Sequence, residues 1–439
     1  MILPLNLPFI PRIGPTKVQL FEVFGFLMWC VLVIAGYREI KSRPGVSFER
    51  GAILLLPLFV SFVILVILVE YVEDVSWDYQ NYEKAFRAVA AGGNPYEIEH
   101  YLYPPLFAQV MAFVYSITKT WLASTWDSLW HIVHYFHQCA QFFLVNIAYQ
   151  LCSRFASRLG FSDLKTRLIV AGLFLFNFPL VRMLHLNQIN LYVLITVLIA
   201  LLALGKFPFL SGAAIALGTL IKLYPVMMAA PLAGMKKWKA LAGGFVTGVI
   251  VILFQTNFGR DLSLWKYFIR FYLAFPAERE STQWIRNTTL LSLANNLESF
   301  MGLPEAAIVP FYFIGVAAVL TWVAVRFWKR EKIYATLPPG PATEMYRNFG
   351  SLIDFACLAL LITPTAWDHH FVIALPLALW AIAIRGREKP GWVGAGIVSI
   401  FILPPFDIFP FSFLRMFGVY LLLLLVSPSV LLKFENASE

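Results

Sequence analysis

Residues 306–327 read AAIVPFYFIGVAAVLTWVAVRF and run straight into Trp328-Lys329-Arg330-Glu331-Lys332. About 20 apolar residues in helical conformation cover a hydrocarbon core, and a basic cluster at the end of such a stretch stays on the cytoplasmic side. The segment therefore reads as a membrane span with a direction. Residues 18–36 and 51–69 have the same character, and the first is too long to be a cleaved leader, so it is expected to be retained. Hydrophobic residues make up 59% of the 439 and charged residues 13%, against about 25% charged in soluble domains. This excludes a water-soluble fold.

The net charge of +9 is carried mainly by short basic groups: Arg38 to Arg50, Arg154 to Arg167, Lys236 to Lys239, Arg326 to Lys332 and Arg385 to Lys389. Their placement reports topology and contact with anionic headgroups, and nucleic acid need not be invoked. Cys30, Cys139, Cys152 and Cys357 lack metal-ligand spacing and imply neither a disulfide framework nor a zinc site.

With every basic group inside, the amino terminus lies outside. The spans then fall near 18–36, 51–69, 129–151, 168–183, 189–205, 209–222, 224–235, 239–255, 306–327, 348–364, 370–385, 391–408 and 412–432. The short apolar stretch 105–117 is expected to be re-entrant or interfacial. The expected fold is an all-α polytopic bundle of about 11–13 spans forming one membrane domain over residues 1–439. Its two large outer loops are the acidic 70–104 and 256–304, each with room for short interfacial helices. No internal repeat is evident.

This threading has a further result. The polar segments His185-Leu186-Asn187-Gln188-Ile189-Asn190, Lys222-Leu223-Tyr224-Pro225, Arg286-Asn287-Thr288-Thr289 and Trp367-Asp368-His369-His370 all join the acidic loop on the outer side. Ionisable groups beside a membrane are costly and often functional, so these segments point to one site. Transfer of a sugar from a phosphate leaving group needs a base for the acceptor hydroxyl and cations for the phosphate. Asp78 fits the first role, and Lys222, Arg286 and a histidine the second. Asp78 also suits a helix N-cap, Lys222 a snorkelling span end, and the tyrosines an aromatic belt. Asn187, Gln188 and Asn190 suit sugar hydroxyls or helix packing equally. His369 and His370 are adjacent and do not share a helix face, which disfavours a metal site. Asn287-Thr288-Thr289 and Asn436-Ala437-Ser438 match a glycosylation sequon, a weak signal.

Taken in order, several segments resemble glycosyltransferase family 87, the polyprenol-phosphate-mannose-dependent mannosyltransferases and their relatives. They are Asp78-Tyr79-Gln80-Asn81-Tyr82, Gly92-Gly93-Asn94-Pro95-Tyr96, Tyr103-Pro104-Pro105-Leu106, Asn187-Gln188-Ile189-Asn190, Ser211-Gly212-Ala213 leading to Lys222-Leu223-Tyr224-Pro225, and Pro364 with Trp367-Asp368-His369-His370. The resemblance implies a C-type glycosyltransferase architecture and an inverting transfer without metal or other cofactor, in which Asp78 takes the acceptor proton. Lys222, His370 and Arg286 would face the donor phosphate, and Tyr82, Tyr103, Asn187, Gln188, Asn190, Tyr224, Trp367 and His369 would line the substrate site. It departs from the family pattern at Leu186 before Asn187-Gln188 and at Asn287-Thr288-Thr289. The expected partners are the bilayer, a polyprenyl-phosphate sugar and a glycan or glycolipid acceptor, and the expected location is the plasma membrane with an extracytoplasmic site. The rivals are a transporter or flippase of lipid-linked sugars, which predicts charges near the midplane such as Asp354, and a non-catalytic glycan-binding relative.

Overall fold

The computed structural model describes residues 77–98, 101–122, 126–274, 287–302, 304–338, 340–403 and 410–430. The expected spans 18–36 and 51–69, most of the acidic loop, Arg286 and Asn436 lie outside the described residues. Among those described, regular structure is helical except for one bridge between Asn287 and Trp367. A lipid-embedded chain must satisfy its backbone groups within each segment, and the apolar composition leaves the helix as the means.

In chain order the helices are α1 (Trp77–Ala90), α2 (Pro105–Leu122), α3 (Trp126–Arg158), α4 (Asp163–Leu175), α5 (Phe178–His185), α6 (Asn190–Ala203) and α7 (Pro208–Ile221). A 3₁₀ turn (Tyr224–Met228) leads into α8 (Ala229–Gly234), then α9 (Trp238–Gln255), α10 (Ser263–Ala274), α11 (Leu290–Met301), α12 (Glu305–Tyr334) and α13 (Pro341–Ile362). A second 3₁₀ segment (Asp368–Ala374) opens α14 (Leu375–Arg385), followed by α15 (Pro390–Ile397), a π turn (Val398–Ile402) and α16 (Leu414–Leu425). Five helical stretches are long and apolar enough to cross a membrane: Trp238–Gln255, Glu305–Tyr334, Pro341–Ile362, Asp368–Arg385 and Phe411–Val430. Phe245, Phe254, Phe313, Ile314 and Trp328 are exposed on α9 and α12, as lipid-facing side chains are.

The structure departs from the expected spans where short side-chain signals interrupt an apolar run. Residues 168–183 belong to two helices, α4 and α5, bent by 52°. Asn177 makes the break: its side chain accepts from the Leu180 amide at 2.8 Å, capping α5, and donates to the Leu173 carbonyl at 3.0 Å near the end of α4. Residues 224–235 do not form a span, because Pro225 and Pro231 confine them to a 3₁₀ turn and a six-residue helix. The stretch 105–117 extends into the continuous 18-residue α2. Asp354 is not a lone midspan carboxylate, since Arg326 and Arg330 both bond it.

Several helices have one polar end and one basic end. Tyr312 on α12 donates to the Ile362 carbonyl, joining the start of α12 to the end of α13, while Arg326 and Arg330 lie toward the other end of α12. On α16 the pattern repeats, with Arg415 beside Asp368 at one end and Arg385 bonded to the Leu425 carbonyl at the other. Arg158 likewise reaches from the end of α3 to the Leu202 carbonyl near the end of α6, whose start is Asn190.

The main core is built on α6, α13 and α14, with Leu194, Leu198, Leu360 and Leu377 fully buried. A second, aromatic cluster of Tyr79, Tyr82, Phe86, Tyr101 and Phe107 fastens α1 to α2. Between α7 and α9 the backbones touch through glycines. A Cβ on Gly212 would fall 1.6 Å from the Ala240 carbonyl oxygen, and one on Gly243 would fall 2.1 Å from that of Phe209. Small residues permit this approach where lipid removes the hydrophobic drive for helix pairing.

Gly212→Ala should therefore cost about 1–3 kcal/mol by overpacking, read as a lower Tm in detergent. Gly172→Ala, in α4 with nothing within 4 Å of the added Cβ, should leave Tm unchanged or raise it. Equal behaviour of the two variants would contradict the close α7–α9 contact.

Candidate functional site

The last residue before a helix break can leave the helix axis, and Lys222 does so. It follows α7 in extended conformation (φ −154°, ψ 128°), with Tyr224-Pro225 starting the next turn. A snorkelling lysine would end in water; this one is only 5% exposed. Its ammonium lies 2.9 Å from Asn190 Oδ1 at the start of α6 and 2.6 Å from His370 Nε2. The rings of Tyr103 and Tyr224 flank it, with centroids 4.9 and 5.2 Å away, within cation–π range.

His370 is held as firmly. It sits in the 3₁₀ segment Asp368–Ala374, and its Nδ1 accepts the Trp367 backbone N–H at 3.0 Å. The Tyr224 hydroxyl is 3.2 Å from the same Nδ1 and donates to the Thr365 carbonyl at 3.1 Å. A neutral imidazole with Nδ1 accepting carries its proton on Nε2, the nitrogen that faces Lys222. His369 is buried beside it, and its carbonyl accepts from Asn190 Nδ2 at 3.4 Å.

The loop that carries Trp367 and His370 is fixed from two sides. Asn287 accepts from the Ala366 amide at 2.9 Å and donates to the Pro364 carbonyl at 3.2 Å. Thr288 donates to the Ala366 carbonyl through both its amide and its hydroxyl. With no exposed surface on Asn287, this sequon has no free amide for a glycan. From the other side Arg415, 3% exposed, pairs with Asp368 at 2.9 Å. The contact lies off the hydrogen-bond axis. The same guanidinium donates to the carbonyls of Leu403 and Ile400 at 3.0 and 3.3 Å.

A chain of polar groups leads from Lys222 toward α1. The hydroxyls of Tyr82 and Tyr103 lie 2.9 Å apart and face Gln188 Oε1 at 2.5 and 3.4 Å. Asp78 stands at the second position of α1, one turn before Tyr82. Its side chain, like Arg286, lies outside the described residues. Burial raises the phenols of Tyr96 and Tyr101 above their ordinary range, so neither supplies a base near neutral pH.

Asn187 has a left-handed backbone (φ 51°) and is 1% exposed. Such a conformation is uncommon outside glycine and is tolerated by asparagine. Neither of its amide atoms has a hydrogen-bond partner among the described residues. His134, His137 and Gln141 on α3 were not anticipated as part of this region. Gln141 donates to the Gln188 carbonyl at 2.5 Å, and the His137 ring stacks between Tyr79 and Tyr192. The spacing His131, His134, His137, Gln141 on a long helix was the available signal, a polar stripe in an otherwise apolar run.

The structure thus brings Lys222, His370, Tyr224, Asn190, Tyr103, Gln188 and Tyr82 into one connected group from five parts of the chain. With that geometry in hand, the family model described as glycosyltransferase family 87 matches residues 101–338, over half of the 439. The chain belongs to glycosyltransferase family 87. The match includes Lys222, Asn190 and Gln188, whereas Asp78 and His370 lie outside it.

Two curated proteins are similar to this family 87 chain. Both bear the name polyprenol-phosphate-mannose-dependent alpha-(1-2)-phosphatidylinositol pentamannoside mannosyltransferase. The protein from Mycolicibacterium smegmatis is 23% identical over 224 residues, 49% of this chain and 48% of the relative. The protein from Mycobacterium tuberculosis is 24% identical over 183 residues, 42% of this chain and 38% of the relative. The similarity covers half or less of either relative's length. No solved structure matches the chain.

Cutting the Arg415–Asp368 pair should unseat the His370 loop. Arg415→Met leaves a buried carboxylate unpaired, at a cost of about 3–5 kcal/mol, and should lower Tm sharply. The double variant Arg415→Met/Asp368→Asn should recover most of that loss. A double variant no more stable than Arg415→Met would show that the pair does not hold the loop.

Proposed function

We propose that this family 87 chain transfers a hexose from a polyprenyl-phosphate sugar to a glycan or glycolipid acceptor on the extracytoplasmic side of the plasma membrane. Mannose is the sugar favoured by the names of its relatives. The observation that carries the reading is the buried pair Lys222 and His370 at 2.6 Å. Two nitrogen donors face each other there, and an anionic oxygen set between or beside them relieves the clash and receives two charge-assisted bonds. A donor phosphate provides that oxygen.

In the reaction, the acceptor hydroxyl oxygen attacks the anomeric carbon from the face opposite the phosphate, which inverts the configuration. The hydroxyl proton passes to the Asp78 carboxylate. As the new carbon–oxygen bond forms, the bond to the phosphate breaks, and its electron pair remains on the polyprenyl phosphate. Lys222 and His370 stabilise the charge that builds on the leaving oxygen, with Arg286 in reach as a third cation. Asn187, Gln188, Asn190, Tyr82, Tyr103, Tyr224, Trp367 and His369 orient the sugar and acceptor, and no step is routed through a metal. The basic helix ends lie away from the site on α3, α12 and α16, which supports an outward site under the positive-inside rule.

The test is transfer from labelled polyprenyl-phosphate mannose by purified protein. Asp78→Asn should lose about 10²–10⁴ in kcat while still binding the donor, and Lys222→Met should weaken donor binding as well as turnover. Normal turnover by Asp78→Asn rejects the base; unchanged donor binding by Lys222→Met rejects the phosphate site.

A further inference from the structure

The basic end of the bundle contains a buried charge imbalance. Arg326 bonds Asp354 twice, at 3.0 and 2.9 Å, and Arg330 bonds the same carboxylate at 2.8 Å. All three side chains are nearly inaccessible, at 6%, 3% and 1% exposure. Arginine stays protonated in proteins, so two positive charges share one negative charge. Among the described residues, Glu331 next to Arg330 does not correct this, because Arg347 engages it at 2.7 Å. An uncompensated cation in a desolvated position is expensive.

A cleft adjoins the surplus. It has about 220 Å³ of empty space, part of it open to the surroundings, and is lined by Arg330, Tyr346, Trp380 and Ser427 among others. The carbonyls at the end of α16, which would repel an anion, are already occupied: Arg385 bonds that of Leu425 at 3.0 Å and Arg326 that of Val426 at 3.2 Å. Tyr346 and Trp380 pack together with ring centroids 5.0 Å apart, and amphipathic aromatics of this kind gather at headgroup depth. Basic pockets between membrane helices on the cytoplasmic side are suited to anionic headgroups.

We infer that the Arg330 cleft is an anion site that takes a phosphate group, separate from the Lys222–His370 site and at the opposite end of α13. The phosphate group satisfies the surplus guanidinium charge, and the Ser427 hydroxyl offers it a neutral donor. The inference does not depend on the transfer reaction.

The experiment uses the full-length protein in detergent, stripped of lipid. Native mass spectrometry against phosphatidylglycerol and phosphatidylcholine reads the headgroup source, and the Tm with and without inorganic phosphate reads the free-ion source. Arg330→Met removes the cation. Ser427→Glu leaves the Arg326–Asp354–Arg330 group intact and supplies a carboxylate at the cleft, so a folding defect in the first variant does not decide the matter. Retention of phosphatidylglycerol over phosphatidylcholine, reduced about tenfold in Ser427→Glu, identifies a lipid headgroup. A Tm gain with phosphate alone that Ser427→Glu abolishes identifies a free anion. Absence of both effects in the wild type, or effects undiminished in both variants, overturns the site.

Discussion

A lysine ammonium withdrawn from water beside a membrane must be met by acceptors and π faces, and much of the polar architecture can be traced from that requirement at Lys222. Asn190 supplies an oxygen and in turn bonds the His369 carbonyl, while Tyr103 and Tyr224 supply rings. His370 closes the arrangement, and its own position depends on a loop pinned by Asn287 and Thr288 on one side and Arg415 on the other. Segments nearly 200 residues apart in sequence are thus tied to one nitrogen. A protein gaining nothing from a cation there would place an apolar side chain at lower cost.

The fold explains how this expense is carried. The apolar core of α6, α13 and α14 lies directly against the polar cluster, so the site rests on buried helix ends. Non-helical backbone at Lys222 and in the loop 363–367 is tolerated because protein surrounds it. The close α7–α9 contact through Gly212 and Gly243 fixes the helix that delivers Lys222. Charge is sorted along the helices, and the basic end has its own buried group around Asp354, whose chemistry differs from that of the site.

Much of this was legible in the sequence because lipid simplifies the reading: apolar length gives spans, and basic loops give direction. That logic placed Lys222, Tyr224, Asn190 and His370 on one face before any contact was known, and they meet. It failed where one polar or proline residue outweighs an apolar average. Asn177 splits α4 from α5, and Pro225 and Pro231 undo a span at 224–235. Periodicity concealed His137 and Gln141, since a polar stripe inside a long helix looks like noise until its neighbours are known. The Asp368–Arg415 pair joins residues 47 positions apart, and nothing local announces it. Asp78 was singled out from its place in the acidic outer loop and from resemblance; the structure adds that it stands one turn before Tyr82 on α1.

The central claim is that the Lys222–His370 pair receives the donor phosphate, and the most direct measurement is an electron-microscopy map of the protein with polyprenyl phosphate bound. The account predicts phosphate density within hydrogen-bond reach of Lys222 Nζ and His370 Nε2, with the two nitrogens moved apart. Phosphate density elsewhere, with the pair still in contact at its present spacing, would contradict it.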